Sequence, residues 1–398
     1  AIQNRLRKED FMKKQDSYDY YVGIDCAQNK HDFAMKNNQD KFLIKRGHFS
    51  NTLQGYEKFL NTVLSKCLNK DKILFGMEVT GIYGTNLYER LKSDGYHVVM
   101  ISPDSVKNYR DYKRLNKTDK IDSGCIAELL LNGDAQIVHV AKNGYTDLKA
   151  YIRRRNALKV TCTQETNRFL AKVCLYFPDL LKVFPSGRAT LKAIFSIYPT
   201  PYSIIEADFD ELVSVLQKAS KNKFGVDKAN ELIHAARNSI VVRKSISDGE
   251  LYNIHSLIDS IDSLESEIRN LEKIIDSKAE EFPAYHVLLT LTGCGKITAA
   301  TIVAEIGDIS RFHKASQIVS LAGLYGDNSK SGSSVNKRGK ISKKGSRYLR
   351  HAIYMVAEFA RRNNPIFKYS CSECSSEQTL QSDLFFNEKP VHIHYSIP

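Results

Sequence analysis

Between residues 254 and 275 seven apolar side chains, Ile254, Leu257, Ile261, Leu264, Ile268, Leu271 and Ile275, recur at alternating steps of three and four. Only a helix lines such positions up on one stripe, and three heptads of it, about 30 Å long, must be covered by another helix. Two partners satisfy that demand. A coiled coil over 251–280 would join copies of the chain into a dimer or tetramer; a neighbouring helix of the same chain would make the segment one member of a bundle.

Upstream the period changes. YYVGIDCA, HDFAMKN and KFLIKRGHF read as three successive strands, NTLQGYEKFLNTVLSKC as a helix, and ILFGMEV as a buried strand; IYGTNLYERLKSDG reads as a second helix and YHVVMIS as a fifth strand, stopped by Pro103. The order βββαβαβ predicts an α/β layer built on a mixed sheet over 19–140. Residues 141–250 read as a mostly helical linking region, 281–367 as a further helical domain and 368–398 as a divergent tail.

Charge narrows the choice of partner. The chain carries 58 Lys and Arg against 45 Asp and Glu, a formal charge of +13, which favours a polyanion such as nucleic acid. No apolar run approaches the ~18 residues of a membrane span, and AIQNRLRKEDFMKKQDS lacks the apolar core of a signal peptide, so the expectation is a cytoplasmic protein without membrane contact. The eight cysteines stand mostly alone in apolar segments, as reduced thiols do. Cys371 and Cys374, with His392 and His394 further on, match no zinc spacing.

Asp119 and Asp122, in NKTDKIDSGCIAELL, lie one helical turn apart, so both carboxylates can face one object. Acids at a helix start are equally well explained as caps. Two further acids bear on the choice. Asp25 falls near the end of the first strand and Glu78 near the end of the fourth, where inward apolar residues are expected, and a carboxylate there is costly unless it is paired or binds a metal. Four oxygen donors with few histidines suit Mg²⁺ or Mn²⁺. The basic run from Lys107 to Lys117, which includes Lys113, Arg114 and Lys117, would then serve phosphates.

Downstream, in HVLLTLTGCGKITAATIVAEIG, Gly293 and Gly295 bracket a turn between two helical segments, with Lys296 next in line. Such a turn either lets the backbone approach a phosphate or simply joins two helices. Residues 328–350 hold eight Lys or Arg and no acid, among them Lys330, Lys337, Arg338, Lys343, Lys344 and Arg347. Helical apolar spacing resumes at once in YLRHAIYMVAEFA, which favours a phosphate-gripping surface over a free tail.

The order GID, MEVTG and K-T-D-x-x-D resembles the RuvC-like, RNase H-type domain of the DEDD insertion-sequence transposases, the family that includes the Piv DNA invertase. LTGCGKITAATIVAEIGDISRF, LAGLYGDNSKSG and KISKKGSRYLRHAI are similar in order and spacing to that family's C-terminal transposase domain. The resemblance spans roughly 19–367 and leaves out the Cys- and His-bearing end.

The resemblance implies an RNase H-like N-terminal domain and a mostly helical C-terminal transposase domain, on either side of the heptad segment read above as a coiled coil. It implies a recombinase acting on donor and target DNA, using Asp25, Glu78, Asp119 and Asp122 with Mg²⁺ and a serine that becomes joined to DNA. That serine precedes the glycine of an S-G motif, here Ser331 before Gly332, although Ser329, Ser333 and Ser334 crowd the same stretch. It also implies a structured guide RNA that pairs with both DNAs. Two other readings fit the residues: a Mg²⁺-dependent junction resolvase or nuclease using the acids alone, and a non-catalytic nucleic-acid-binding scaffold.

Overall fold

The computed structural model describes residues 18–363 apart from 68, 79–82, 116–118, 139–142, 186–187 and 327–340. The side chains of residues 119, 120 and 143 also fall outside the description. Ser331, Lys117, Lys330, Lys337, Arg338 and the tail with its Cys-x-x-Cys therefore lie outside the described residues. The chain divides into one unit of residues 1–141 with 310–313 and another of 142–309 with 314–398.

The first unit is an α/β layer. Strands β1 (Tyr20–Cys26), β2 (Lys30–Asn37) and β3 (Phe42–Ser50) form an antiparallel meander. Helix α1 (Leu53–Leu64) follows, started by Thr52, whose hydroxyl accepts from the Gly55 N–H at 3.1 Å. β4 (Ile73–Glu78), α2 (Thr85–Ser93) and β5 (His97–Ile101) come next, then α3 (Pro103–Tyr112), with proline at its first position, and α4 (Asp119–Leu131). The five strands and two helices read from the sequence occupy these places. The two-residue strand β6 (Ile137–Val138) adds an antiparallel edge, giving the order β3-β2-β1-β4-β5-β6 with β1, β4 and β5 parallel.

Alternation along the strands divides the core. Val22, Ile24, Phe33, Met35, Ile73, Phe75 and Met77 pack on one side with Phe59 and Val63 of α1 and Leu87 and Leu91 of α2. Tyr21 and Leu74 pack on the other with Cys125, Ile126, Leu129 and Leu130 of α4. Contact there is close enough to require small residues. A Cβ on Gly23 would run into the Ser123 carbonyl oxygen and the Ala127 nitrogen, and one on Gly76 would meet the Leu130 side chain.

The second unit is helical. Its frame is α5 (Asn143–Tyr176) against α11 (Asp248–Ala279), linked by Arg154–Glu267 at 2.9 Å, Arg155–Glu272 and Lys172–Glu250 at 2.6 Å. Residue numbers rise on one helix as they fall on the other, so the pair is antiparallel. Shorter helices α6 (Leu180–Val183), α7 (Arg188–Ile197), α8 (Pro201–Ile205), α9 (Phe209–Ser220) and α10 (Val226–Arg237) pack beside it. Ile254, Ile261 and Ile268 sit in one core with Leu158, Cys162, Phe169 and Val173 of α5. A helix of the same chain thus covers the heptad stripe, with Leu257, Leu264 and Leu271 only partly buried. Then come α12 (Pro283–Leu289), α13 (Lys296–Ile306), α14 (Ala315–Ala322) and α15 (Arg347–Asn363).

Candidate active site and nucleic-acid interface

Gly23 and Gly76 face α4, and in a strand residues two apart share a face, so Asp25 and Glu78 face α4 as well. Ile24 and Met77 are partners in the parallel β1–β4 ladder. One step further along that register brings the two acids side by side at the carboxyl ends of their strands. Both are half-buried. Cys26 registers their presence: burial chiefly, and then the negative charge of Asp25 and Glu78, pushes its thiol up to about 12.

Asp122 lies on α4 and is 4% exposed; the Arg110 guanidinium of α3 donates to its Oδ1 at 2.6 Å. The pairing also raises the Arg110 pKa, with its hydrogen bond to that carboxylate as the main cause. Asp119 opens the same helix one turn earlier. Among the described residues no group of three or more His, Cys, Asp or Glu side chains is arranged to hold a metal ion. The structure brings Asp25 and Glu78 together and places Asp122 on the helix over their face.

Asp32 and Arg110 belong to this neighbourhood and were not singled out from the sequence. Asp32 is the cross-strand partner of Asp25, 4% exposed, with its carboxylate 3.5 Å from Lys30 Nζ. It shares the α4 face with Lys36, which pairs with Glu128 of α4 at 3.1 Å. Its signal was an acid opposite the apolar positions of HDFAMKN. Arg110 was visible only as one charge of a basic run.

Of the predicted phosphate contacts in this unit, Lys113 and Arg114 are exposed just after α3. Lys113 Nζ lies 5.5 Å from the Tyr109 ring centre, and Arg114 adopts a left-handed backbone with φ of 53°.

In the second unit, Gly293 has φ of +89°, and a Cβ there would run into the Phe359 ring. Helix packing alone therefore accounts for Gly293. Gly295 caps α13 with open space around it, whereas the Lys296 ammonium is engaged by Asp276 of α11.

Gly326 and Ile341 form an antiparallel bridge that closes the ends of segment 327–340, which contains Ser331. Lys343, Lys344 and Arg347 are exposed just beyond it. Backbone packing anchors this flank: a Cβ on Gly345 would meet the Leu321 carbonyl oxygen at the end of α14. So does the Ser346 hydroxyl, which donates to Glu305 of α13 at 2.8 Å.

A transposase family model of the DEDD, IS110 type matches residues 22–178, and the model described as the transposase IS116/IS110/IS902 family matches 285–370. The chain belongs to that transposase family. Relatives of this transposase include the mini-circle protein assigned as the IS117 transposase of Streptomyces coelicolor, 23% identical over 78% of this chain and 77% of the relative. The 44.8 kDa protein of insertion element IS116 from Streptomyces clavuligerus is 24% identical over 85% and 84%. The pilin gene-inverting protein of Moraxella bovis is 34% identical over 30% of this chain and 35% of its own length. The matched blocks contain all four acids and the whole 327–340 segment of the transposase. Among the described residues no helix is long and apolar enough to cross a membrane.

Proposed function

We propose that this transposase cuts and rejoins donor and target DNA through two centres, the acids Asp25, Glu78, Asp119 and Asp122 and the nucleophile Ser331, at sites chosen by a structured guide RNA. The observation that carries the reading is the juxtaposition of Asp25 and Glu78 on neighbouring parallel strands beneath the helix bearing Asp119 and Asp122. The mixed sheet with helices on both faces supports a RuvC-like, RNase H-type domain. The heptad helix α11 packs on α5 of the same chain, and assembly into a dimer or tetramer through the exposed side of that pair is part of the proposal. Basic composition supports DNA and RNA partners, and action on DNA and RNA would place the protein in the cytoplasm.

The donor set fits a hard divalent cation: oxygen ligands only, two of them adjacent at the ends of neighbouring strands. Asp25, Glu78, Asp119 and Asp122 would hold Mg²⁺ or Mn²⁺, which supplies activation of an attacking oxygen and stabilisation of a leaving one. Arg110 holds Asp122 in place and offsets its charge. At the other centre, Ser331 Oγ attacks a backbone phosphorus and loses its proton. The P–O bond to the neighbouring sugar breaks, the departing sugar oxygen takes up a proton, and a serine phosphodiester remains for a second strand's hydroxyl to resolve. Lys330, Lys337 and Arg338 stabilise the developing charge, and Lys113, Arg114, Lys117, Lys343, Lys344 and Arg347 hold flanking phosphates.

A resolvase using the acids alone is the second reading, favoured by the placement of the described acids in one unit. Strand cleavage assays separate the two: Ser331→Ala abolishes cleavage in the first reading and leaves it intact in the second. Nucleic acid purified with the protein from cells carrying its native flanking DNA should contain one discrete RNA. Heterogeneous fragments from an expressed flank would contradict guidance.

A further inference from the structure

Glu305 is a buried carboxylate surrounded by more positive charge than it needs. Its Oε2 accepts from Ser346 and lies 3.1 Å from Lys149 Nζ; its Oε1 lies 3.5 Å from the Arg153 guanidinium and has no hydrogen bond among the described residues. One buried carboxylate is matched by one close cation, and Lys149 fills that role. Arg153 is surplus. It is half exposed, and its guanidinium lies 5.5 Å from the Tyr348 ring centre. Arg347 lies 4.8 Å from the same ring and donates to the Tyr348 hydroxyl at 2.8 Å. Two guanidinium groups from segments nearly two hundred residues apart are thus gathered on one tyrosine. Tyr348 adjoins Ser346, at the anchored flank of 327–340.

We infer that Arg153, with Arg347, forms a seat for a backbone phosphate of the DNA strand at the serine centre, so that α5 contributes to the chemistry of the C-terminal domain. This rests on the proposed reading of 327–340 as the nucleophile segment. The guanidinium is the fitting group. Its planar fork matches phosphate oxygens, stacking on Tyr348 preorients it, and a 3.5 Å ion pair without a hydrogen bond leaves its donors available. Glu305 prevents collapse of the site by holding Lys149 and Ser346 beneath it. Arg350 is occupied with the carbonyl oxygens of Ala322 and Lys343. The four residues Lys149, Arg153, Arg347 and Glu305 leave a net positive charge of two.

Binding of the full chain, together with the RNA that purifies with it, to duplex DNA from the element's end, followed by fluorescence anisotropy across a salt series, tests the seat. Arg153→Ala should lower the slope of log affinity against log salt by about 0.9 and weaken binding roughly fivefold near physiological salt. Arg347→Ala should do the same, which covers failure of the first variant to fold. Arg154→Ala, one residue along and paired with Glu267, should leave the slope unchanged. Equal slopes for the wild type, Arg153→Ala and Arg347→Ala overturn the seat while leaving DNA binding intact. An equal loss in Arg154→Ala, or a loss seen only with structured RNA, overturns it as well. A wild type that binds no duplex at any salt overturns the functional reading along with it.

Discussion

At the scale of single residues, a carboxylate as buried as that of Asp122 depends on its partner, and removing one member of such a pair typically costs about 3 kcal/mol or more. Arg110→Ala should therefore lower the urea midpoint markedly, and added Mg²⁺ should restore part of the loss by compensating the Asp122 charge. No change in midpoint would mean that Asp122 does not need Arg110. Gly23→Ala should cost about 1–3 kcal/mol, because α4 must retreat from β1 to admit the methyl group. Asp25 and Glu78 were legible as acids where strand alternation calls for apolar groups. Asp32 and Arg110 were not, because periodicity gives the direction of a side chain and not its partner across a strand or on another helix.

At the scale of elements, the heptad stripe predicted a covered helix and left open which helix covers it. That depends on α5, whose own apolar spacing is broken by lysines and arginines that serve as cross-helix ion pairs. Burial along α11 is uneven, and the stability cost should follow it. Ile261→Ala should cost about 2–5 kcal/mol by chemical denaturation, and Leu264→Ala distinctly less. Equal costs would mean that both rows are covered alike in solution. The strands and first helices were readable because each keeps one period for several residues. A two-residue edge such as β6 has no period to read.

At the scale of the whole molecule, net charge and two motif blocks in fixed order pointed to nucleic-acid chemistry, whereas the meeting of α5 with α13 and α15 around Glu305 followed from no local pattern. The acidic centre makes a global prediction. Mg²⁺ at 100 times its dissociation constant should stabilise the fold by about 2.7 kcal/mol, and Asp25→Asn should remove most of that gain. A melting temperature indifferent to Mg²⁺ would contradict the metal site. The central claim, that two centres cooperate in strand exchange, is tested most directly by trapping covalent protein–DNA adducts in cells carrying the native flanking DNA and mapping the modified peptide. The account predicts a DNA adduct on Ser331 that disappears in Ser331→Ala and in Asp25→Asn. Strand cleavage without any adduct, or an adduct that survives Ser331→Ala, would contradict it.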